Sequence, residues 1–236
     1  MYRPRRIEEL ADPQAGGVVF SQAAHQIDMV RRLVGAPVRT VRAVTGDWDR
    51  VRQGVGAYSA LLTFEGGATA ALTYSGYAHY DSDELLGWIS ELGQDKDPAA
   101  YGQARRRLAG LDAAGEASAK LGRTYGGGGA ATAAPHHEHF GFVLVSCDHA
   151  DLKLIPAGIA VYADEARYFE SIAPPAAPRA GVIDAFVTAA TGRDPAAEDG
   201  RQGLETIAFC EALLASARTG ADVALDILLT LIREDD

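Results

Sequence analysis

Apolar residues first fall into a regular pattern between Gly16 and Gly35, a segment that reads as one helix. Pro13 and the Gly16-Gly17 pair precede it, and Gly35 supplies a left-handed stop. At about 100° per residue, Ala23, Ile27, Val30 and Val34 line up as an apolar stripe. Ser21, His25, Asp28 and Arg32 gather on the opposite side, so this helix has one face for a core and one for chemistry. From Val38 the period shortens to two. Tyr58, Ala60, Leu62 and Phe64 alternate with their neighbours, Gly66-Gly67 offers two positions tolerant of positive φ, and Ala68 to Ala78 returns as a second β-rich run, together a hairpin signal. Further short runs follow at Phe140 to Cys147, Leu152 to Ile155, Ile159 to Ala163 and Tyr168 to Ile172. With Val38 to Trp48 these make about seven strands joined by short connections, hence a largely antiparallel sheet.

Two helices close the pattern. Val182 to Thr191 stops at Gly192. Glu198 to Ala217 places Gly203, Ile207, Cys210, Leu214 and Ala217 on one face and stops at Gly220. Residues 80–135 interrupt the strands: Asp81 to Leu92 and Pro98 to Lys120 are rich in helix formers, and the glycine run at 126–129 leads through an Ala/Thr tract to Pro135. The fold class predicted is α+β, an open, mostly antiparallel sheet with helices packed on one face and a helical insertion at about 80–135. All of 1–236 is read as one domain. Phe140, Phe142 and Leu144 on one side of their strand, and Val143, Val145 and Cys147 on the other, predict a sheet with two faces to cover.

Charge narrows the functional classes. Lys and Arg number 22 against 32 Asp and Glu in 236 residues, a net charge of −10, which argues against a general binder of nucleic acid or anionic membrane. No apolar run reaches the roughly 18–20 residues of a membrane span. The opening MYRPRRIEELADPQAGG lacks the apolar centre of a secretion signal, and two cysteines give no disulfide framework, so the cytoplasm is the expected compartment. Cys147 and Cys210 sit in apolar contexts and read as core positions.

His25 and Asp28 are the sharpest candidates for chemistry. A neutral imidazole accepts a proton near neutral pH, and a carboxylate at i+3 shares its helix face; the alternative is an ordinary solvated polar pair. Arg3, Arg5 and Arg6 lie within four residues, either as a carboxylate grip or as a solvated charge run. His136, His137, Glu138 and His139 lack the spacing of a metal module, and no metal is expected. Gly126, Gly128 and Ala131 match a dinucleotide fingerprint only formally, because no strand precedes them and Pro135 leaves no room for a phosphate-binding helix.

The string GGVVFSQAAHQIDMVRRLVGAPVRTVRA resembles the start of the C-terminal domain of the Gfo/Idh/MocA oxidoreductases. YRPRR, VVFSQAAHQID, GYAHYDSDELLGWISELGQDKDP, HHEHFGFVLVSCDHADL and PRAGVIDAF together resemble one branch, the phthalate dihydrodiol dehydrogenases. The resemblance implies that His25 is the proton-transfer group, supported by Ser21, Gln22 and Asp28, with Asp28 structural. The wider family often has Asp where this chain has Ser21, which speaks against the sugar-dehydrogenase version of the mechanism. It implies a substrate that is an aromatic carboxylate diol held by Arg3, Arg5 or Arg6, and a homo-oligomer formed through the sheet. NAD or NADP is implied for the full-length enzyme. The chain lacks the family's Rossmann domain, so no cofactor is expected on it alone and it is expected to be inactive without that domain. A non-catalytic binding or dimerisation module, or a sugar or cyclitol dehydrogenase, stands as the alternative. The tail from Asp226 to Asp236 has Ile227, Leu228, Leu231 and Ile232 at helical spacing, unlike the family's extended ending.

Overall fold

Local pattern becomes structure most directly at the first helix. In the computed structural model, residues 3–6, 9, 17–77, 79–122, 134–175, 177, 180–193 and 200–225 are described. The entry to that helix at Gly16, the fingerprint at Gly126, Gly128 and Ala131, and the tail 226–236 lie outside them. A π-helical turn, Val19–Ala23, runs into α1 (Ala24–Val34), and Gly35 ends it at φ 69°, its N–H donating to Arg31 O. Along the chain follow β1 (Val38–Gly46), β2 (Ala57–Phe64), β3 (Thr69–Ser75), α2 (Gln103–Ala109) and α3 (Ala113–Leu121). Then come β4 (Val143–Ser146), β5 (Ala150–Ile155), β6 (Gly158–Ala163), β7 (Arg167–Ser171), α4 (Ala180–Ala190), α5 (Gly200–Thr219) and β8 (Val223–Ala224).

The fold is α+β; among the described residues every strand pairing is antiparallel, and the strands form two four-stranded sheets rather than a single one: β3-β2-β1-β8 and β4-β5-β6-β7. They belong to separate units. The first is Met1–Ala78, Ala104–Gly127 and Glu198–Asp236; the second is His79–Gln103 and Gly128–Ala197. The segment 80–135 is thus shared between them. Asp81 to Leu92 forms a 3₁₀ turn at Ser82–Leu86 and an isolated bridge from Ile89 to Asp95, in place of a long helix.

In the first unit, Val41 and Ala43 of β1, with Ala60, Leu62 and Phe64 of β2, turn inward against Ile27 and Val30 of α1 and Phe209 and Leu213 of α5. Each such large side chain withdrawn from water contributes about 1.5–3 kcal/mol before ordering entropy is set against it. The hairpin turn depends on Gly66 and Gly67, both at positive φ (82° and 92°).

α5 buries a face rotated from the one its apolar spacing predicts: Cys210 is buried and Leu214 packs against the core as expected, but Gly203 and Ile207 are exposed. Thr206, Phe209, Leu213 and Ser216 are inside, while Ile207 is 48% exposed. Two core positions are polar because the fold uses their hydroxyls. Ser216 Oγ accepts the Ala43 amide at 2.9 Å and donates to Ala221 O at 2.6 Å. β8 reaches only Thr40 and Val41 of β1, so Ala43, further along that edge, takes a side-chain partner.

Among its described residues the second unit buries little: Leu86 and Val161 are the large buried aliphatics there, and Phe140, Phe142, Leu144, Tyr168, Phe169 and Ile172 are exposed. Cys210 lies in the first unit's core as expected, but Cys147 is exposed, since it falls just past the end of β4 in the turn to β5. No described helix is long and apolar enough to cross a membrane.

Candidate active site

The helix that carries His25 is fixed on its apolar side and open on the other. Ala23, Ile27 and Val30 are buried in the first unit's core, and His25 and Asp28 are exposed. The stripe read from the sequence is therefore the observed one. The π-helical turn just before His25 shifts the backbone register by widening one turn, a feature frequent beside functional groups. Ser21 donates its hydroxyl to Gly17 O at 3.0 Å, so it ties the turn to its own backbone; the Gln22 amide donates to Val18 O at 2.9 Å.

Asp28 reaches across to α5. Its Oδ1 accepts the Thr206 hydroxyl at 2.5 Å and lies 3.9 Å from Arg31, whose guanidinium also pairs with Glu205. Those partners give the carboxylate a helix-to-helix fastening next to the imidazole's own helix face.

Gln26, unremarked in the sequence, is also held: its Oε1 accepts the Tyr58 hydroxyl at 2.7 Å. Burial, with Tyr74 stacked at 5.9 Å, drives the Tyr58 phenol well above its ordinary pKa and keeps it a neutral donor. Cys210, below the same helix, is a buried thiol pushed up to about 12 by desolvation and by the charges of Glu211 and Asp28, which makes it inert packing.

The three arginines do not act alike. Arg5 is half-buried and bound to Glu116: its backbone amide donates to Oε1 at 3.0 Å and its Nε to the same oxygen at 3.4 Å. Arg6 is exposed, with its amide donating to Glu9 Oε2 at 2.6 Å. Arg3 offers its carbonyl to Arg52 Nη2 at 3.3 Å. Arg52 and Glu116 were not singled out by the sequence. The one signal was the run Ala113 to Ser118, whose small residues let a glutamate be buried on a short helix.

In the second unit the histidine cluster is spread over local contacts. Gly141 N donates to His139 Nδ1 at 3.1 Å, so Nε2 carries the proton and donates to Ile89 O at 2.9 Å. His136 Nε2 meets Asp95 at 3.2 Å. Among the described residues no group of three potential metal ligands converges.

Residues 2–89 match the GFO/IDH/MocA C-terminal domain. A 1-carboxy-3-chloro-3,4-dihydroxycyclohexa-1,5-diene dehydrogenase of Comamonas testosteroni is 41% identical over 219 residues, covering 91% of this chain and 55% of the relative. A crystal structure from Bordetella bronchiseptica RB50, designated a dehydrogenase, superposes with a TM-score of 0.84 at 40% identity, over 94% of this chain and 58% of that one. An Agrobacterium radiobacter oxidoreductase, solved with NAD+, L-tartaric acid and magnesium, shares the fold at 15% identity and a TM-score of 0.55, over 87% of this chain and 48% of its own. The chain thus spans a little over half the length of its more similar relatives. It carries a C-terminal domain of the GFO/IDH/MocA family.

Proposed function

We propose that this chain is the substrate-binding and oligomerisation part of an NAD(P)-dependent dehydrogenase that oxidises a cis-dihydrodiol of an aromatic carboxylate to a catechol. The observation that carries the reading is the 41% identity, spread over 91% of the chain, with a dehydrogenase named for a carboxylated dihydroxycyclohexadiene. The exposed imidazole on a rigidly seated helix supplies the matching chemistry.

His25 takes the hydroxyl proton of the diol as the carbinol C–H bond breaks. The proton goes to the imidazole and the electron pair leaves with the hydride. The resulting dienone enolises to an aromatic catechol, which draws the reaction forward. NAD or NADP, bound by a separate nucleotide-binding domain, is the hydride acceptor. Ser21 and Gln22 hold the turn before His25, Asp28 fastens the helix to α5, and Arg3 and Arg6 bind the substrate carboxylate in this reading. On its own the chain binds no dinucleotide and does not turn over substrate.

A homo-oligomer is part of the same reading. It is supported by the exposed Leu144, Tyr168 and Phe169 on the second unit's sheet and by Val44 and Leu61 on the uncovered face of the first. The test is reduction of NAD+ or NADP+ by the chain joined to a nucleotide-binding domain, with a carboxylated cis-dihydrodiol as donor. Turnover of that diol in preference to a sugar or cyclitol is expected. Preference for a sugar or cyclitol would replace this reading with the other dehydrogenase reading.

A further inference from the structure

One loop of the first unit grips two things at once. It begins with an Asx turn in which the Asp49 carboxylate accepts the amides of Val51 at 2.9 Å and Arg52 at 3.1 Å, fixing where Arg52 starts. Arg52 then forks onto Glu116, Nη1 to Oε2 at 3.0 Å and Nη2 to Oε1 at 2.6 Å, with Nη2 also donating to Arg3 O at 3.3 Å. The neighbouring Gln53 carbonyl accepts Arg5 Nη1 at 3.5 Å.

Three residues past Arg52 the same loop meets the start of the His25 helix. Val55 O accepts the Val18 amide at 3.0 Å. Gly17, at φ 50°, lies so close that a Cβ there would stand 2.3 Å from Val55 O. On the far side, Glu116 is carried by α3, whose first turn is capped by Asp112 accepting Gly115 N at 2.8 Å.

A buried ion pair is a weak source of net stability, since desolvation offsets much of its attraction; what it specifies is place. The Glu116 side chain is 6% exposed and that of Arg52 10%. The partners of the Glu116 carboxylate, one backbone amide and two guanidinium groups, are all on Arg5 and Arg52, and these two residues in turn reach the Arg3 and Gln53 carbonyls.

We propose that Arg52 and Glu116 are positioning residues that hold the arginine-bearing segment Arg3–Arg6 against the loop on which the His25 helix is seated. Arg5 belongs to this anchor, and the guanidinium groups offered to a substrate carboxylate are those of Arg3 and Arg6. The anchor follows from the contacts alone; its bearing on substrate rests on the function proposed above.

The experiment has two arms. In the full chain, amide hydrogen exchange at Arg5 is compared between the wild type, Glu116→Ala and the milder Arg52→Lys, which keeps the charge but loses the fork. Exchange at Arg5 is expected to accelerate about tenfold or more in both while β2 amides keep their protection. Unchanged exchange at Arg5 in Arg52→Lys overturns the anchor. In the enzyme competent for turnover, Arg52→Lys is expected to raise KM for the carboxylated diol about tenfold while kcat changes by less than about threefold. Accelerated exchange with an unaltered KM overturns the anchor's bearing on substrate. If the wild-type enzyme oxidises no such diol, the proposed function fails, and the exchange arm still decides the anchor.

Discussion

The sheet of the first unit and that of the second begin from the same antiparallel, β-branched sequence pattern and end differently. β1 and β2 lay Val41, Leu62 and Phe64 beneath α1 and α5, and those side chains are almost wholly removed from water. β4 to β7 leave Leu144, Tyr168 and Phe169 at about half exposure, and α4 presents Val182 at 69% and Phe186 at 72%. The first unit therefore completes its own core, and every residue proposed for chemistry stands on it. The second unit carries apolar surface beyond what its own described elements cover. A sheet pattern alone says that a face must be buried; which element buries it depends on helices elsewhere in the chain.

The difference between the two units is greatest at Phe209. Phe209→Ala is expected to destabilise the first unit by about 3–5 kcal/mol, read from denaturant unfolding, because it opens a cavity under β1. A loss below 1 kcal/mol would mean that the two units have equally shallow cores.

A pH series sharpens it next. Burial pushes the Glu116 carboxyl up, but the hydrogen bonds and charge of Arg52, with those of Arg5, outweigh that and hold it below its ordinary value of 4.5. A depressed carboxylate contributes stability that is fully present above its unfolded pKa and is lost as pH falls through the folded one. Glu116→Gln is therefore expected to cost about 2 kcal/mol at neutral pH, the gap closing below the ordinary glutamate range. A gap that is the same at neutral and at strongly acidic pH would show that the ion pair contributes nothing.

Phe169→Ala should do least to the fold, changing subunit stability by less than about 0.5 kcal/mol. It should weaken self-association measured by sedimentation at micromolar concentration. A wild-type chain that stays monomeric, with Phe169→Ala as costly as Phe209→Ala, would erase the distinction between the units.

Much of the first unit was legible in sequence. The α1 stripe, the Gly66-Gly67 hairpin and the stop at Gly220 are local events, set by periodicity and by glycine's access to positive φ, as is the stop at Gly192 in the second unit. The division into two sheets was not legible, because strand partners across tens of residues leave no mark in either strand's own pattern. The buried face of α5 was read only in part, at Cys210 and Leu214, for a related reason: Thr206 and Ser216 look like surface residues until Asp28 and Ala43 are seen to need their hydroxyls. At the site, His25 and Asp28 were visible as neighbours on a helix. That Asp28 reaches Thr206 and Arg5 reaches Glu116, 111 positions away, is tertiary information.

The proposed function turns on His25 as the proton acceptor of the first unit. The most direct measurement is steady-state turnover of the carboxylated cis-dihydrodiol by His25→Asn in the enzyme joined to its nucleotide-binding domain. A fall in kcat of about 10²- to 10⁴-fold with KM little changed is expected. Near wild-type turnover from mildly acidic to alkaline pH would contradict it and leave His25 a solvated residue on an ordinary helix face.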